Sequence, residues 1–352
     1  MRRGQPDQQG AFDADQAEFR AMQDGTSSVS SSTLDELMSG EAGSLAEALA
    51  PNAPFYEREQ IGAETLTGDA NSVVTLRQKH FGIWYPFGVD RGALTYQRQD
   101  PFYEFCLATS IAASYPRQET QRLLRHFERV VRDILIAYAG LNAVGVRFGW
   151  PNERDWDKAP NRMDRRVAWM KRQCGYDKDE WLFSLSDKLD AVRRLAKDGR
   201  IDVIVRRPVG DNRPGGMTIL GQCGCGKHDV DESSRKHEEL SLQWLSHFFG
   251  RSICAPSPLR VFASSQHIVR EDELYVKQSS ADVLILDRLR LRHLVADFGD
   301  VLEPHLEAFA RFKDTVLRIV PALQAASGRP QKKGGVVRRS RSRDISSEES
   351  AG

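Results

Sequence analysis

The chain of 352 residues holds only five cysteines: Cys106, Cys174, Cys223, Cys225 and Cys254. So sparse and odd a set excludes a disulfide-built scaffold and points to reduced thiols. Long apolar runs are missing too. Stretches such as Ile134 to Ala137 and Val283 to Leu286 fall far short of the roughly 20 residues that cross a bilayer. The opening MRRGQPDQQG lacks the apolar centre of a secretory leader, so a cytoplasmic location is expected. Neither sign of charge is in excess: 50 Lys plus Arg stand against 49 Asp plus Glu. A uniformly basic coat is thereby excluded, and any electrostatic footprint must be local. There is no internal repeat, hence no solenoid.

Charge is instead concentrated at the two ends. Residues 1–50 carry three Arg and nine acidic residues, with a serine tract from Ser27 to Ser32. This composition predicts a disordered acidic tail, with one short helical pattern near 34–49. From Arg329 to Arg343 there are seven Lys or Arg and no acid, which predicts a disordered basic tail over 327–352 able to graze phosphate non-specifically.

Between the tails, residues 51–115 form an aromatic-rich N-terminal subdomain, and 116–326 a larger domain. Short strands are expected between Ser72 and Tyr96, in VVTL and FGIWYPFGV. Aromatic residues around Trp84 to Phe87 are expected in the core. A long helix is predicted from Gln118 to Ala139, because Leu123, Phe127, Val130, Val131, Ile134 and Leu135 recur at three- and four-residue steps. Further helices are expected over 164–173, 177–197, 238–249 and 287–323, the last broken near Pro304. Asp202 to Pro208 and Met217 to Gly221 flank a Gly/Pro/Asn turn and predict a hairpin, with another strand at 259–263. Helices packed on a mixed sheet follow from this alternation, an α/β (α+β) fold.

Chemically useful residues crowd onto the hairpin, and three chemistries compete for them. Gly221, Gly226 and Lys227 satisfy the phosphate-loop spacing, with Asp287 after an apolar run as a magnesium ligand. Against this, His228 occupies the hydroxyl position, and Asp229, Asp231 and Glu232 would repel phosphate. Cys223, Cys225 and His228 could hold zinc, completed by Cys174, Cys254 or His237, although CxC is not the usual CxxC spacing. The third chemistry is metal-dependent phosphodiester cleavage. Asp202 and Gln222 on neighbouring strands would offer oxygen ligands to Mg²⁺, with Lys236 or Lys227 supplying an ammonium.

Four strings, Asp202-Val-Ile-Val-Arg206, Ile219-Leu-Gly-Gln-Cys223, Arg235-Lys-His237 and Ile285-Leu-Asp-Arg-Leu-Arg-Leu291, together with Val146-Arg-Phe-Gly-Trp-Pro151, resemble a group of bacterial proteins similar to PD-(D/E)xK restriction-endonuclease-like enzymes. The resemblance covers about residues 80–300 and implies a restriction-endonuclease-like mixed sheet flanked by helices. Carried over by position, Glu128 is its helix-borne acid, Asp202 its strand acid, Gln222 stands where a Glu is usual, and Lys236 its lysine, with Lys227 as rival. Mg²⁺, or Mn²⁺ in its place, is the implied cofactor and DNA the implied substrate, in a bacterial antiviral-defence or DNA-processing system of several proteins. Gln for Glu removes a negative charge, so a catalytically inactive adaptor on the same fold is the alternative. No zinc-finger pair or helix-turn-helix is evident, which assigns target choice to a partner protein.

On a helical wheel Glu128 lies about 40° from Leu124 and about 20° from Leu135, at the border of the buried stripe. It therefore needs a partner, whether a metal, Arg125, Arg132 or a backbone donor. Asp287 is expected to cap the next helix, with Arg288 and Arg292 on one face, either salt-bridged or contacting phosphate.

Overall fold

The computed structural model describes residues 8–28, 70–90, 93–115, 117–151, 158–182, 200–211, 213, 215–226 and 256–327. The expected helices over 34–49 and 238–249, residues 183–197 of that over 177–197, the basic tail beyond Ser327, Lys227, His228, Lys236, His237 and Cys254 lie outside them, and residues 177–182 form turns where the helix is expected to begin. No helix among the described residues is long and apolar enough to cross a membrane.

The fold is mixed α/β. In chain order it runs α1 (Gln8–Asp24), β1 (Thr26–Ser28), α2 (70–81), β2 (Phe87–Asp90), β3 (Ala93–Tyr96), α3 (Pro101–Ala113), α4 (Gln118–Ala139), β4 (Val144–Arg147), α5 (Met163–Cys174), β5 (Val203–Arg207), β6 (Met217–Gly224), β7 (Leu259–Ser264), α6 (Glu271–Ala281), β8 (Leu284–Leu286), α7 (Arg288–Asp297) and α8 (Leu306–Ser327). A small antiparallel sheet has the order β1-β3-β2, and a larger one the order β4-β5-β6-β7-β8. In the larger sheet β4, β5 and β6 form an antiparallel meander, whereas β6, β7 and β8 are parallel. The expected hairpin is therefore present, with Val205 opposite Ile219.

Alternation along the strands sorts side chains onto two faces. Val203, Val205, Ile219, Val261 and Ala263 pack with α3, α4 and α8 in the main core, while Ile204, Leu220, Val146 and Phe148 pack against Val167 and Met170 of α5 on the other face. Helix α4 spans the residues its periodicity predicts, and Gly140, at φ +90°, ends it by donating its N–H to Ile136 and Ala137. Among the described residues, the main core takes in side chains from Ala11 to Val320.

Two expectations fail at the N-terminal side. Residues 70–81 are helical where VVTL suggests a strand. Ala70, Val73, Val74, Arg77 and Phe81 are the buried set, at helical spacing, but a buried arginine in the apolar stripe hides the period. The acidic tail is likewise corrected over 8–24, because α1 is packed, with Ala14, Ala17, Phe19 and Ala21 in the core.

What holds α1 is a buried cluster of charges. Arg77 reaches Asp15 at 2.8 Å and Glu18 at 2.9 Å, and Arg288 reaches Asp15 at 2.9 Å. Tyr85 and Tyr103 donate hydroxyl hydrogen bonds to Glu18 at 2.8 and 2.7 Å, and Ser110 donates to Asp15 at 2.6 Å. Burial pushes the Asp15 carboxyl up, and Arg288 and Arg77 more than reverse it, leaving it ionised. The predicted phosphate contact of Arg288 is thereby corrected: its side chain is fully buried, with Nε donating to the Ser265 carbonyl, and no external phosphate can reach it. Arg292 is also engaged, pairing with Asp100 at 3.0 Å and lying 4.7 Å from the centroid of the Trp84 ring. Asp287 caps α7 as expected, accepting from the Arg290 N–H.

A second buried polar group ties η-helical residues Gly299–His305 to α4. His305 Nε2 lies 2.7 Å from Asp133 and its Nδ1 3.3 Å from His126 Nε2. With the His305 Nε2–H donated to Asp133, its Nδ1 accepts from His126. Burial first, then His305, Arg129 and Arg311, lower the His126 pKa to about 3, against an opposing pull from Asp133.

Two measurements follow. Breaking a buried ion pair on one side strands its partner, so Arg77→Met should lower unfolding stability by about 3–5 kcal/mol in urea titration. Asp282→Asn, which removes the charge of an exposed partner of Arg260 and keeps a residue type tolerated at its left-handed φ of +49°, should leave the midpoint nearly unchanged. The His126 shift sets a sign for pH: the unfolded imidazole protonates near its ordinary value and the folded one only near pH 3. Its contribution is complete at neutral pH and declines as pH falls from about 6.5 toward 3. Unfolding midpoints should drop between pH 7 and 5, with a slope that His126→Asn reduces; an unchanged slope in that variant would contradict the assignment.

Candidate functional site

The end of the antiparallel meander is where the predicted acids meet. Glu128 lies on the third turn of α4 at the edge of its buried stripe, its side chain 15% exposed. Its Oε2 is 2.6 Å from Nε of Arg147, the last residue of β4. This partner is an arginine of a neighbouring strand that the helical wheel does not point to, whereas Arg132, one of the two expected from α4, pairs with Asp133. Arg147 is buried and also donates to the Pro151 carbonyl at 3.1 Å.

Asp202 stands just before β5 and is fixed on both sides. Its N–H donates to the Gly221 carbonyl at 3.0 Å, and its carbonyl accepts from Phe148 and Gly149. Its side-chain Oδ2 accepts from the Cys223 N–H at 2.8 Å. The backbone of Asp202 is thus held on both sides, and its carboxylate by the β6 peptide.

Gly149 is where the two acids approach each other. A Cβ added there would lie 2.8 Å from Glu128 Oε2 and 3.0 Å from Asp202 Oδ1. Both oxygens flank the same point, so they are no further apart than those two distances end to end, about 6 Å. Any side chain at 149 would fill that space, which is a steric reason for glycine in the Phe-Gly-Trp string.

Gln222 does not join them. A Cβ on Gly221 would meet Leu135 of α4 at 3.4 Å, and Cys223 packs against the α4-side core. Gln222 lies between these two and so leaves β6 on the opposite face, as does its register partner Phe262. The expected trio of oxygen ligands is corrected to a pair, Glu128 and Asp202.

The site opens into a cleft of about 350 Å³ walled by Gln121, Leu124, Arg125 and Glu128 of α4, Trp150 and Pro151 after β4, and Cys223, Cys225 and Gly226 after β6. Burial, then the Asp202 and Glu128 charges, push the Cys223 thiol well up, so in the metal-free protein it is a neutral thiol. Cys174 belongs to the core on the other face of the sheet, which removes it as a fourth zinc ligand. Among the described residues no group of three His, Cys, Asp or Glu could hold a metal ion. The phosphate-loop alternative fails for a geometric reason. Gly221 to Gly224 are hydrogen-bonded into β6, so their N–H groups do not form a cradle, and buried Asp287 spends its oxygens on the Arg290 and Ile268 N–H groups.

A hard divalent cation fits the pair in kind. Mg²⁺ is commonly held by one or two carboxylates, with water and substrate oxygens completing the shell. Glu128, which lines the cleft, and Asp202 supply two carboxylates next to Gly149, each with one oxygen steadied by Arg147 or by the Cys223 peptide. Both predicted lysines, Lys236 and Lys227, lie outside the described residues.

Residue-by-residue reasoning gave no roles to Arg147, Gly149, Trp150 or Arg166. The Val146-Arg-Phe-Gly-Trp-Pro151 string is the sequence signal for the first three, and Arg166 lies outside it. Arg166 of α5 is fully buried, donating to the carbonyls of Phe148 at 2.6 Å, Gly149 at 3.2 Å and Pro160 at 3.0 Å. It thereby fixes the segment that carries the close approach. Comparison of the chain with protein-family models, with curated proteins and with solved structures finds no match.

Proposed function

We propose that the protein is a metal-dependent nuclease cleaving DNA phosphodiester bonds. The observation that carries this is the convergence of Glu128 Oε2 and Asp202 Oδ1 on one point above Gly149, beside a cleft. The succession of α4, the antiparallel β4-β5-β6 meander and parallel β7 supports a restriction-endonuclease-like core, in which a helix acid and a strand-start acid share a site. Mg²⁺ or Mn²⁺, when bound, would lower the pKa of a water and balance charge on the phosphorus. Glu128 and Asp202 would hold it, Arg147 orients the Glu128 carboxylate, and Lys236 or Lys227 would steady the attacking water or the phosphate. Water adds to phosphorus as the bond to the leaving sugar oxygen breaks, with a proton delivered to that oxygen. We place the enzyme in the cytoplasm, as the nuclease of a defence or DNA-processing assembly whose protein partners choose the target.

An inactive adaptor on the same fold is the second reading, and two observations favour it. Gln222 faces away from the acids, and Arg147 already balances one of their charges. Supercoiled plasmid incubated with Mg²⁺ or Mn²⁺ separates the two. The nuclease should nick it, with Asp202→Ala and Glu128→Gln slower by on the order of 100-fold or more and one of Lys236→Ala and Lys227→Ala similarly impaired. Absence of nicking in wild type, or equal nicking by all variants, would leave the adaptor.

A further inference from the structure

We propose that the cleft beside Glu128 binds an unpaired nucleotide of a single strand, its base stacked on Trp150. This deepens the nuclease reading and rests on it for the position of the phosphate. Trp150 is partly buried and lines the cleft, directly after Gly149 and next to Pro151. Its position is fixed from behind. The Arg166 guanidinium lies 5.3 Å from the Trp150 ring centroid and 5.7 Å from that of Phe148, and its N–H groups are spent on the carbonyls of Phe148, Gly149 and Pro160. An arginine so tied holds the ring through cation–π attraction and costs the ligand little ordering.

Three features of the wall suit one nucleotide. An aromatic plane accepts any base, because every base presents a π face. Gln121, on α4 one turn from Arg125 and in the wall with it, offers an amide to phosphate or base edges, and the guanidinium of Arg125 adds positive charge beside it. The third is size: at about 350 Å³, bounded by α4 on one side and the β6 end on the other, the space takes one extruded or unpaired nucleotide and not the width of a duplex. The acids then lie one residue from the stacking platform, where a backbone phosphate flanking the base would sit.

The test is fluorescence anisotropy with a labelled oligo(dT), an oligo(U) of equal length and a blunt duplex of the same length, using the full chain with Ca²⁺ replacing Mg²⁺ and again with chelator. The single strands should bind more tightly than the duplex. Trp150→Ala should weaken single-strand binding on the order of 10-fold while barely changing duplex binding, which the basic tail can support alone. Trp150→Phe should retain most of the affinity, and a circular-dichroism melt checks that both variants fold. Oligo(dT) against oligo(U) distinguishes DNA from RNA as the source of the nucleotide. Equal or tighter binding of duplex, no single-strand binding, or unchanged binding by Trp150→Ala would overturn the proposal. Since no cleavage is read, a chain that binds single strands but never nicks plasmid would retain this inference and lose the nuclease.

Discussion

The neutralisation of buried charge at the junction of α1, α2, α3 and α7 is the constraint on which the arrangement of this protein depends. Asp15 and Glu18 on one helix face two arginines 59 or more positions away in sequence, Arg77 and Arg288. Two acids balance two arginines, so removing any one of the four leaves an uncompensated charge in a low-dielectric interior, which makes the set strongly interdependent. The tyrosine hydroxyls and Ser110 fill the remaining acceptor positions of the acids. An otherwise weakly hydrophobic N-terminal helix is thereby docked onto the body of the fold, and Arg288, through Ser265, links it to the segment after β7.

The larger sheet provides a second, local constraint. Three antiparallel strands bring the ends of β4, the start of β5 and the end of β6 to one place, and only backbone donors and a glycine allow the acids there to approach. Like charges so close cost free energy unless something of opposite sign is near. Arg147 meets that need for Glu128, and the Cys223 peptide does so in part for Asp202. The same arrangement keeps the neighbouring thiol protonated. Site and scaffold thus use one device, an arginine carried by a different element from the acid it balances.

Legibility in the sequence follows the range of the interaction. Helix α4, the β5–β6 hairpin, β7 and the Asp287 cap rest on periodicity, turn residues and capping within a few positions, and each lies where those signals put it. Glu128 at the stripe border and Asp202 at a strand start are legible for the same reason. Residues 70–81 misled because Arg77 interrupts an apolar period, and α1 misled because its acids read as solvated until their arginines are brought to them. Gln222 misled in another way: adjacency in the chain to a strand end says nothing of which face the side chain leaves, and that parity is set by pairing with β5 and β7.

What the sequence determined alone is the mixed α/β class, the amphipathic α4, the hairpin and the two acids with chemical potential, because each is encoded in spacings of two to four residues. Tertiary structure decided which of those groups meet. Only folding places Arg147 on Glu128, opens the space over Gly149, sets Trp150 in the cleft wall and buries Arg288 beyond the reach of a ligand, since burial and pairing of charge depend on partners distant in the chain.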